Sequence, residues 1–569
     1  MQRPQGGVDS RHDRSVSQTP SPALVTQRAV QRLPRLALLL FCAAYVLPGL
    51  FGRDPWRNAD QTAFGYMLAI ADGRTTWLAP TIGGLAPENA VLPHWLGAAS
   101  IWLLSSLVDA PMAARVPFGL LLAGVLILTW YTTFQLARTE AAQPVAFAFG
   151  GEAEPVDYAR AMADGALLAL IASLGLLQLG HETTPELAQL FATALVLWAC
   201  AAAPFRGWRA RAAMLVSLPL LAACGAPMMA MLFGIAASAI TARSSYAAGR
   251  SFAPWAAAAV ALAAALALAL GTWGWRVEFK ASVDQGLQLL RLWVWFLWPV
   301  WLLAIWTLWR WRRHLARRHI SLPLALCVVS LVACIAGGGF DRALMLGLPG
   351  FAVLAAFALP TLRRGTSAAV DWFSVFFFSI SALAIWVIYA AMVTGTPPRI
   401  AANVVRLAPG FSLQFSPISF LVAIAGTLAW FVLVRWRTGR HQHALWKSLV
   451  LPAGGVALAW LLLMTLWLPL LDYARSNRPW VARLVPHVPM ASGCVAAPGY
   501  PRSAVAALEQ YGGWNVDARG VAADHCAVLL RQERRGQPEV ATPDGWEVVA
   551  RIRRPTDRDE STVVLRRSR

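Results

Sequence analysis

The sequence predicts an all-α polytopic membrane protein of about thirteen transmembrane helices, followed by a small α/β domain at its C-terminal end. Three observations lead there. The 569-residue chain is 57% hydrophobic and 14% charged, with a mean hydropathy of +0.52, whereas a soluble chain carries about 25% charged residues. Its apolar residues are gathered in runs of about 17–22, the length that crosses a bilayer core of roughly 30 Å. Short arginine clusters stand between those runs, as in Arg310-Trp-Arg312-Arg313 and Arg435-Trp-Arg437-Thr-Gly-Arg440. Disordered, collagen-like and small disulfide-scaffold classes are excluded on the same figures.

Residues 1–32 are polar and basic, and Leu33 to Leu50 is the first apolar run. No small-residue cleavage pattern closes that run, since Pro48-Gly49-Leu50-Phe51 leads straight into Gly52-Arg53-Asp54. The expectation is an uncleaved first span behind a cytoplasmic tail, not a removable signal. Spans are expected near 33–51, 113–136, 165–180, 187–203, 212–225, 227–242, 255–273, 288–309, 320–337, 343–361, 371–393, 417–434 and 447–469. An odd count puts the N-terminus inside and the last hundred or so residues outside, and all the arginine clusters then fall inside. That topology accounts for the net charge of +20 and the pI near 10.8, so nucleic acid is not an expected partner.

Val91 to Val108 is apolar enough to span, but it holds His94 and ends in Ser105-Ser106. Counting it as a span would invert every later loop and place Arg310–Arg318 outside. It is therefore read as an interfacial helix on the outer face, within one external loop at 52–111. The chain divides into the tail 1–32, a membrane domain 33–470 and an external domain 471–569. The last is charged and punctuated by proline and glycine. Strand-like stretches occur at Cys526–Arg531 and Ser561–Arg566, and helical character at Ala504–Tyr511. Cys42, Cys200, Cys224, Cys327 and Cys334 lie in spans as small apolar fillers, while Cys494 and Cys526 are expected to pair in an oxidising periplasm.

The span interiors are almost free of ionisable groups, which gather instead at the outer ends. A site at the outer membrane surface follows, because a path through the membrane would place ionisable groups or broken helices in mid-span. The first external loop carries the most specific pattern. It reads Gly52-Arg-Asp-Pro-Trp-Arg-Asn-Ala-Asp60-Gln61, then Trp77-Leu-Ala-Pro80, then Pro87-Glu88-Asn-Ala-Val-Leu-Pro-His94-Trp95-Leu.

This pattern resembles the lipid-dependent glycosyltransferases of the GT-C fold, nearest to the 4-amino-4-deoxy-L-arabinose transferases of lipid A and the protein O-mannosyltransferases. Their first loop has an Asp-Glu pair, a Trp-(Leu/Ile)-Val-Pro motif about seventeen residues on, and Glu-Lys-Pro-Pro-Leu-x-Tyr-Trp-Leu. Asp60 to Trp77 is seventeen positions here, and Glu88 to Trp95 is seven. The departures are Gln61 for the glutamate of the pair, Ala90-Val91 for the two prolines, and His94 for the tyrosine. The family's later Thr-Lys-Gly stands here as Cys224-Gly225-Ala226, without the lysine. Leu468 to Trp480, leading into the tail, is similar to proteobacterial relatives.

The resemblance implies an inner-membrane glycosyltransferase working on the periplasmic face. It would move a sugar from a polyprenyl-phosphate carrier (undecaprenyl phosphate in bacteria) to a lipid, glycan or protein acceptor. Asp60 is expected as the acceptor-activating carboxylate, with Glu88 as a second catalytic acid. Arg276, Lys280, Arg342 and Arg399 are expected to bind the departing phosphate, with Arg57 also on the substrate. Glu186 is the candidate for the family's second acidic loop. Glu88 and His94 offer a mixed O/N pair for a divalent cation, zinc or manganese. The rival expectations are a transporter or flippase of lipid-linked glycans, which needs ionisable groups along a transmembrane cavity, and an inactive scaffold of the same fold.

Overall fold

The computed structural model describes residues 21–88, 90–279, 282–439, 444–489, 493–520, 525–535, 542–557 and 559–568. The chain is an integral membrane protein whose helices pack side by side. Seven helices are long and apolar enough to cross a bilayer: Ala110–Ala137, Pro185–Arg206, Ala247–Ala269, Arg318–Ala336, Gly365–Thr394, Pro417–Thr438 and Leu445–Leu466. Leucine and alanine dominate them, and a proline in the first turn begins several, where its missing N–H costs no helical hydrogen bond. Counting one bent pair as a span gives eight.

The remaining expected spans fall on shorter or interrupted helices, and the physical reasons can be read locally. Arg35–Val46 stops where Pro48 and Gly49 follow. The span expected at 165–180 begins ten residues earlier, at Pro155, and breaks at Ser173 before Leu174–Leu179. Asp157, Arg160 and Asp164 had disguised its first turns as loop. The single span expected at 288–309 is instead two helices, Val283–Phe296 and Val300–Arg310, meeting at 93°. Pro299 stands at that corner and has no N–H to continue the first helix. Pro227–Ala242 and Leu348–Thr361 are short apolar helices.

The run at 91–108 forms the helix Leu92–Leu104, 13 residues long. At 1.5 Å per residue that is about 20 Å, short of a bilayer core. It packs between the helix Ala59–Ala71 and the first long helix.

The C-terminal part carries a five-stranded mixed sheet: β1 (Val495–Ala496), β2 (Val516–Asp517), β3 (Val528–Arg534), β4 (Trp546–Arg553) and β5 (Glu560–Arg567), in the order β2-β1-β3-β5-β4. The first two pairings are parallel and the last two antiparallel. The helix Arg502–Gly512 packs Val505 and Leu508 into a core shared with Trp480, Val528 and Val564. Cys494 and Cys526 are joined as a disulfide, and the other cysteines are free thiols.

This domain is docked on the first loop. Gly65 of the helix Ala59–Ala71 faces Ala506 so closely that a Cβ on it would lie 2.4 Å from the alanine methyl. Around that contact Arg74 meets Glu509 at 2.6 Å, Arg478 meets Asp54 at 2.6 Å, and Gln61 donates to Gln510 at 2.8 Å.

Candidate functional site

Asn58 is, among the described residues, the one non-glycine with a left-handed backbone, at φ 76°. That strained turn ends the extended segment after Trp56 and starts the helix Ala59–Ala71. Asp60 thereby stands in the first helical turn, where the helix dipole favours a carboxylate.

Asp60 is only 1% exposed, and both its oxygens are engaged. Oδ1 accepts from the Thr183 N–H at 2.8 Å and the Thr183 hydroxyl at 2.9 Å. Oδ2 accepts from the Trp56 N–H at 3.1 Å and from Arg53 Nη2 at 3.3 Å. Burial pushes this carboxyl up, but Arg53, Arg115 and the backbone N–H groups of Thr183 and Trp56 outweigh it and hold it below the usual range.

The donors around Asp60 belong to a closed ring of contacts. Arg53 Nη2 also donates to the His181 carbonyl at 2.6 Å, and its guanidinium lies 4.7 Å from the Trp56 ring. Arg475 lies 4.9 Å from the same ring and donates to Gln178 at 2.5 Å. Gln178 donates to Glu182 at 2.9 Å, and Glu182 precedes the Thr183 that binds Asp60. Trp56 Nε1 donates to Asp472 at 2.8 Å. Burial pushes the Asp472 carboxyl up to about 6, against the Trp56 hydrogen bond that pulls it down.

The 181–186 loop carries the ring outward. Arg342 binds Glu182 at 2.5 Å and the Thr184 hydroxyl at 3.0 Å, and lies 3.5 Å from Glu186. Burial raises the Glu182 carboxyl, Arg342 opposes this, and the nearby Asp60 charge adds to the rise. Burial lowers Arg342, but Glu182 and Glu186 more than reverse this and hold it firmly protonated.

Glu186 Oε2 is buried, lies 3.5 Å from Arg342 Nη1 and accepts no hydrogen bond. The residue lines a cavity of about 410 Å³ whose walls also include Gln189, Gly225, Trp275, Arg276 and Phe340. Arg276 lies 4.5 Å from the Phe340 ring and 3.6 Å from Glu278, with 40% of its side chain exposed. Gln189 donates to the Cys224 carbonyl at 2.6 Å, fixing the wall formed by Cys224-Gly225-Ala226. The arrangement puts the Glu186 carboxylate, paired with Arg342, and the partly exposed Arg276 guanidinium on the walls of one cavity, joined through Arg342 and Glu182 to the contacts around Asp60.

Of the residues singled out from sequence, Asp60, Glu186, Arg276 and Arg342 are thus brought together. Arg57 turns towards the C-terminal domain, 3.7 Å from Asp557. Glu88 pairs with Arg502 at 2.5 Å. His94 is buried against Tyr66, ring centroids 5.1 Å apart, with no partner on Nδ1. Burial pushes its imidazole down to about 4. Arg399 is exposed on the helix Pro398–Leu407, and Lys280 lies outside the described residues.

Arg53, Arg115, Asp472 and Arg475 were not singled out. Arg115 carried a signal, being a charge in the second turn of an otherwise apolar span. Arg53 stood inside the patterned loop, but nothing in its spacing marks it as Asp60's partner.

No protein-family model matches this chain, and no curated protein matches it. Among solved structures, ArnT from Cupriavidus metallidurans bound to undecaprenyl phosphate aligns over 93% of this chain and 97% of its own, with a TM-score of 0.53 and 13% identity. The same ArnT in the apo state aligns over 93% and 98%, with a TM-score of 0.52 and 14% identity. The chain therefore has the ArnT fold along nearly its whole length.

Proposed function

We propose, from the ArnT fold and the chamber lined by Glu186 and Arg276, that this chain is an integral membrane glycosyltransferase of the bacterial inner membrane. It takes a sugar from a polyprenyl-phosphate carrier and passes it to a lipid, glycan or protein acceptor on the periplasmic face. The carrier class rests on the undecaprenyl phosphate bound to ArnT. The external placement rests on the arginine distribution and on the Cys494–Cys526 disulfide, a bond that persists in oxidising compartments. The observation that carries the reading is that Glu186 and Arg276 line one cavity.

Transfer forms a bond from the acceptor oxygen to the anomeric carbon and breaks the bond from that carbon to the carrier phosphate. The acceptor proton must go to a base, and the electron pair leaves with the phosphate. A carboxylate whose four lone-pair sites are filled is poorly placed to take a proton, and Asp60 accepts four hydrogen bonds. We assign the proton to Glu186, which lines the cavity and whose Oε2 accepts no hydrogen bond beside its ion pair with Arg342, and the leaving phosphate to Arg276. Asp60 then acts as a positioning residue, fixing the 181–186 loop. Arg342 sets the distance between Glu182 and Glu186. With no lysine at Cys224-Gly225-Ala226, aminoarabinose is not the sugar assigned.

A divalent cation on Glu88 and His94 does not fit the residues. Glu88 is held by Arg502, and His94 is enclosed by apolar packing. No group of three His, Cys, Asp or Glu side chains suited to a metal occurs among the described residues.

The test is complementation of a deletion strain with wild type, Asp60→Asn and Glu186→Gln, reading glycolipids and glycans by mass spectrometry. A sugar-sized mass increment present with wild type and absent with Glu186→Gln supports transfer. Identical spectra from all three, with carrier-linked glycan redistributed across the membrane, would favour the transporter instead.

A further inference from the structure

The helix Pro398–Leu407 packs against the helix Gly365–Thr394, and none of its residues is fully buried. It connects two membrane-crossing helices, Gly365–Thr394 and Pro417–Thr438. Only residues 395–397 join it to the first, a reach of about 11 Å at full extension. Its start is therefore held near the level at which the first helix exits the bilayer.

Its sequence divides sharply by face. Arg399, Asn403 and Arg406 follow i, i+4, i+7 and share one side. Ile400, Val404 and Val405 lie on the other, Ile400 and Val404 half-buried and Val405 61% exposed, while Leu407, 68% exposed, stands at the boundary. In the chain that follows, Phe415 and, in the next span, Ile418 are also exposed, at 52% and 76%. A span's exposed apolar surface faces acyl chains.

We infer that Pro398–Leu407 is a membrane-seating helix, its apolar face in the outer leaflet and Arg399 and Arg406 on anionic phospholipid headgroups. Arg399 then binds bilayer lipid and not the transferred substrate. The seat is tied to the site: Tyr473 donates to the Pro409 carbonyl at 2.6 Å and packs on Phe411, and its neighbour Asp472 holds Trp56. The Trp56–Asp60 ring is thereby set at headgroup height.

The test labels Val405→Cys or Asn403→Cys with an environment-sensitive dye in proteoliposomes and compares iodide with a lipid-attached quencher. The dye at 405 should be quenched several-fold more by the lipid-borne quencher than the dye at 403, and shielded from iodide. Raising phosphatidylglycerol in phosphatidylcholine vesicles should deepen the lipid quenching, and Arg399→Gln with Arg406→Gln should abolish that dependence. Equal iodide access at 405 and 403 would overturn the seat. A phosphatidylglycerol response unchanged by the double substitution would overturn the headgroup contacts. Neither readout uses transfer activity, so the seat and the glycosyltransferase reading fail separately.

Discussion

Thr183 binds one oxygen of Asp60 twice, through its backbone N–H at 2.8 Å and its hydroxyl at 2.9 Å, across 123 positions of sequence. This is the stitch between the first external loop and the 181–186 loop. Thr183→Val keeps the shape and the N–H but withdraws the hydroxyl from a buried carboxylate. A loss of about 2 kcal/mol is expected, since hydrogen bonds to charged groups contribute roughly 1.5–3 kcal/mol. Denaturant unfolding of the purified protein in detergent should show it. An unchanged midpoint would mean that the stitch does not hold the loops together.

Asp60→Asn leaves Arg53 and Arg115 buried without their shared counter-charge. Removing one partner of a buried pair costs about 3–5 kcal/mol, so both stability and transfer should fall. The pH dependence has a definite sign. Asp60 is held below its ordinary value in the folded chain. Its contribution is therefore complete above the unfolded carboxylate pKa of about 4 and is lost as pH falls through the lower folded value. Wild type should lose an increment of stability below about pH 4 that Asp60→Asn lacks. Parallel pH–stability curves would contradict this account.

Glu186→Gln removes the assigned base and keeps the side chain's volume. It also removes one of the two counter-charges of Arg342, leaving the Glu182 pair in place. Transfer should fall by about 100-fold or more, the usual contribution of a general base, with only a small drop in melting temperature. Full activity in Glu186→Gln would return the proton-accepting role to Asp60.

What the sequence made legible was whatever composition and spacing encode directly. Leucine-rich runs gave the places of the helices, and the Asp60–Trp77 and Glu88–Trp95 spacings drew attention to the loop that carries Asp60. Alternation in the tail gave β3 and β5. Helix ends were less legible, because a break at Ser173 or Pro299 depends on what packs against it. Partnerships were the least legible. Glu88 and His94 look alike as candidate ligands in one dimension. Only in three dimensions does one meet Arg502 and the other Tyr66. Asp60 likewise carries no sign in the chain that Thr183 and Arg53 will saturate it.

His94 gives a second pH signature, distinct from Asp60's. Burial lowers its pKa to about 4, while the unfolded imidazole titrates near 6.5. Between those values the unfolded chain binds the extra proton, so stability falls as pH drops from about 6.5 to 4, by up to about 3 kcal/mol from this residue. His94→Phe should pack on Tyr66 and remove that increment, leaving transfer at neutral pH intact. Unfolding curves at pH 7 and pH 5 would show it. Loss of transfer in a stable His94→Phe protein would instead restore the case for His94 as a ligand.

The last prediction concerns how the C-terminal domain governs the site. Gly65 and Asp60 share one helix, and Gly65 meets Ala506 where no Cβ fits, 2.4 Å from the methyl group. Gly65→Ala must therefore push the helix Arg502–Gly512 away, at an overpacking cost of about 1–3 kcal/mol. The push would also stretch the Gln61–Gln510 hydrogen bond one residue from Asp60. Ala506→Gly alone should cost about 1 kcal/mol of helix propensity, yet it removes the atom that the new methyl strikes. The double substitution should then be more stable than the sum of the singles by about 1 kcal/mol or more, and should recover the transfer that Gly65→Ala loses. Additive effects would show that the two helices slide freely. Coupling in stability without recovery of transfer would show that the docked domain stabilises the first loop but does not set the position of Asp60.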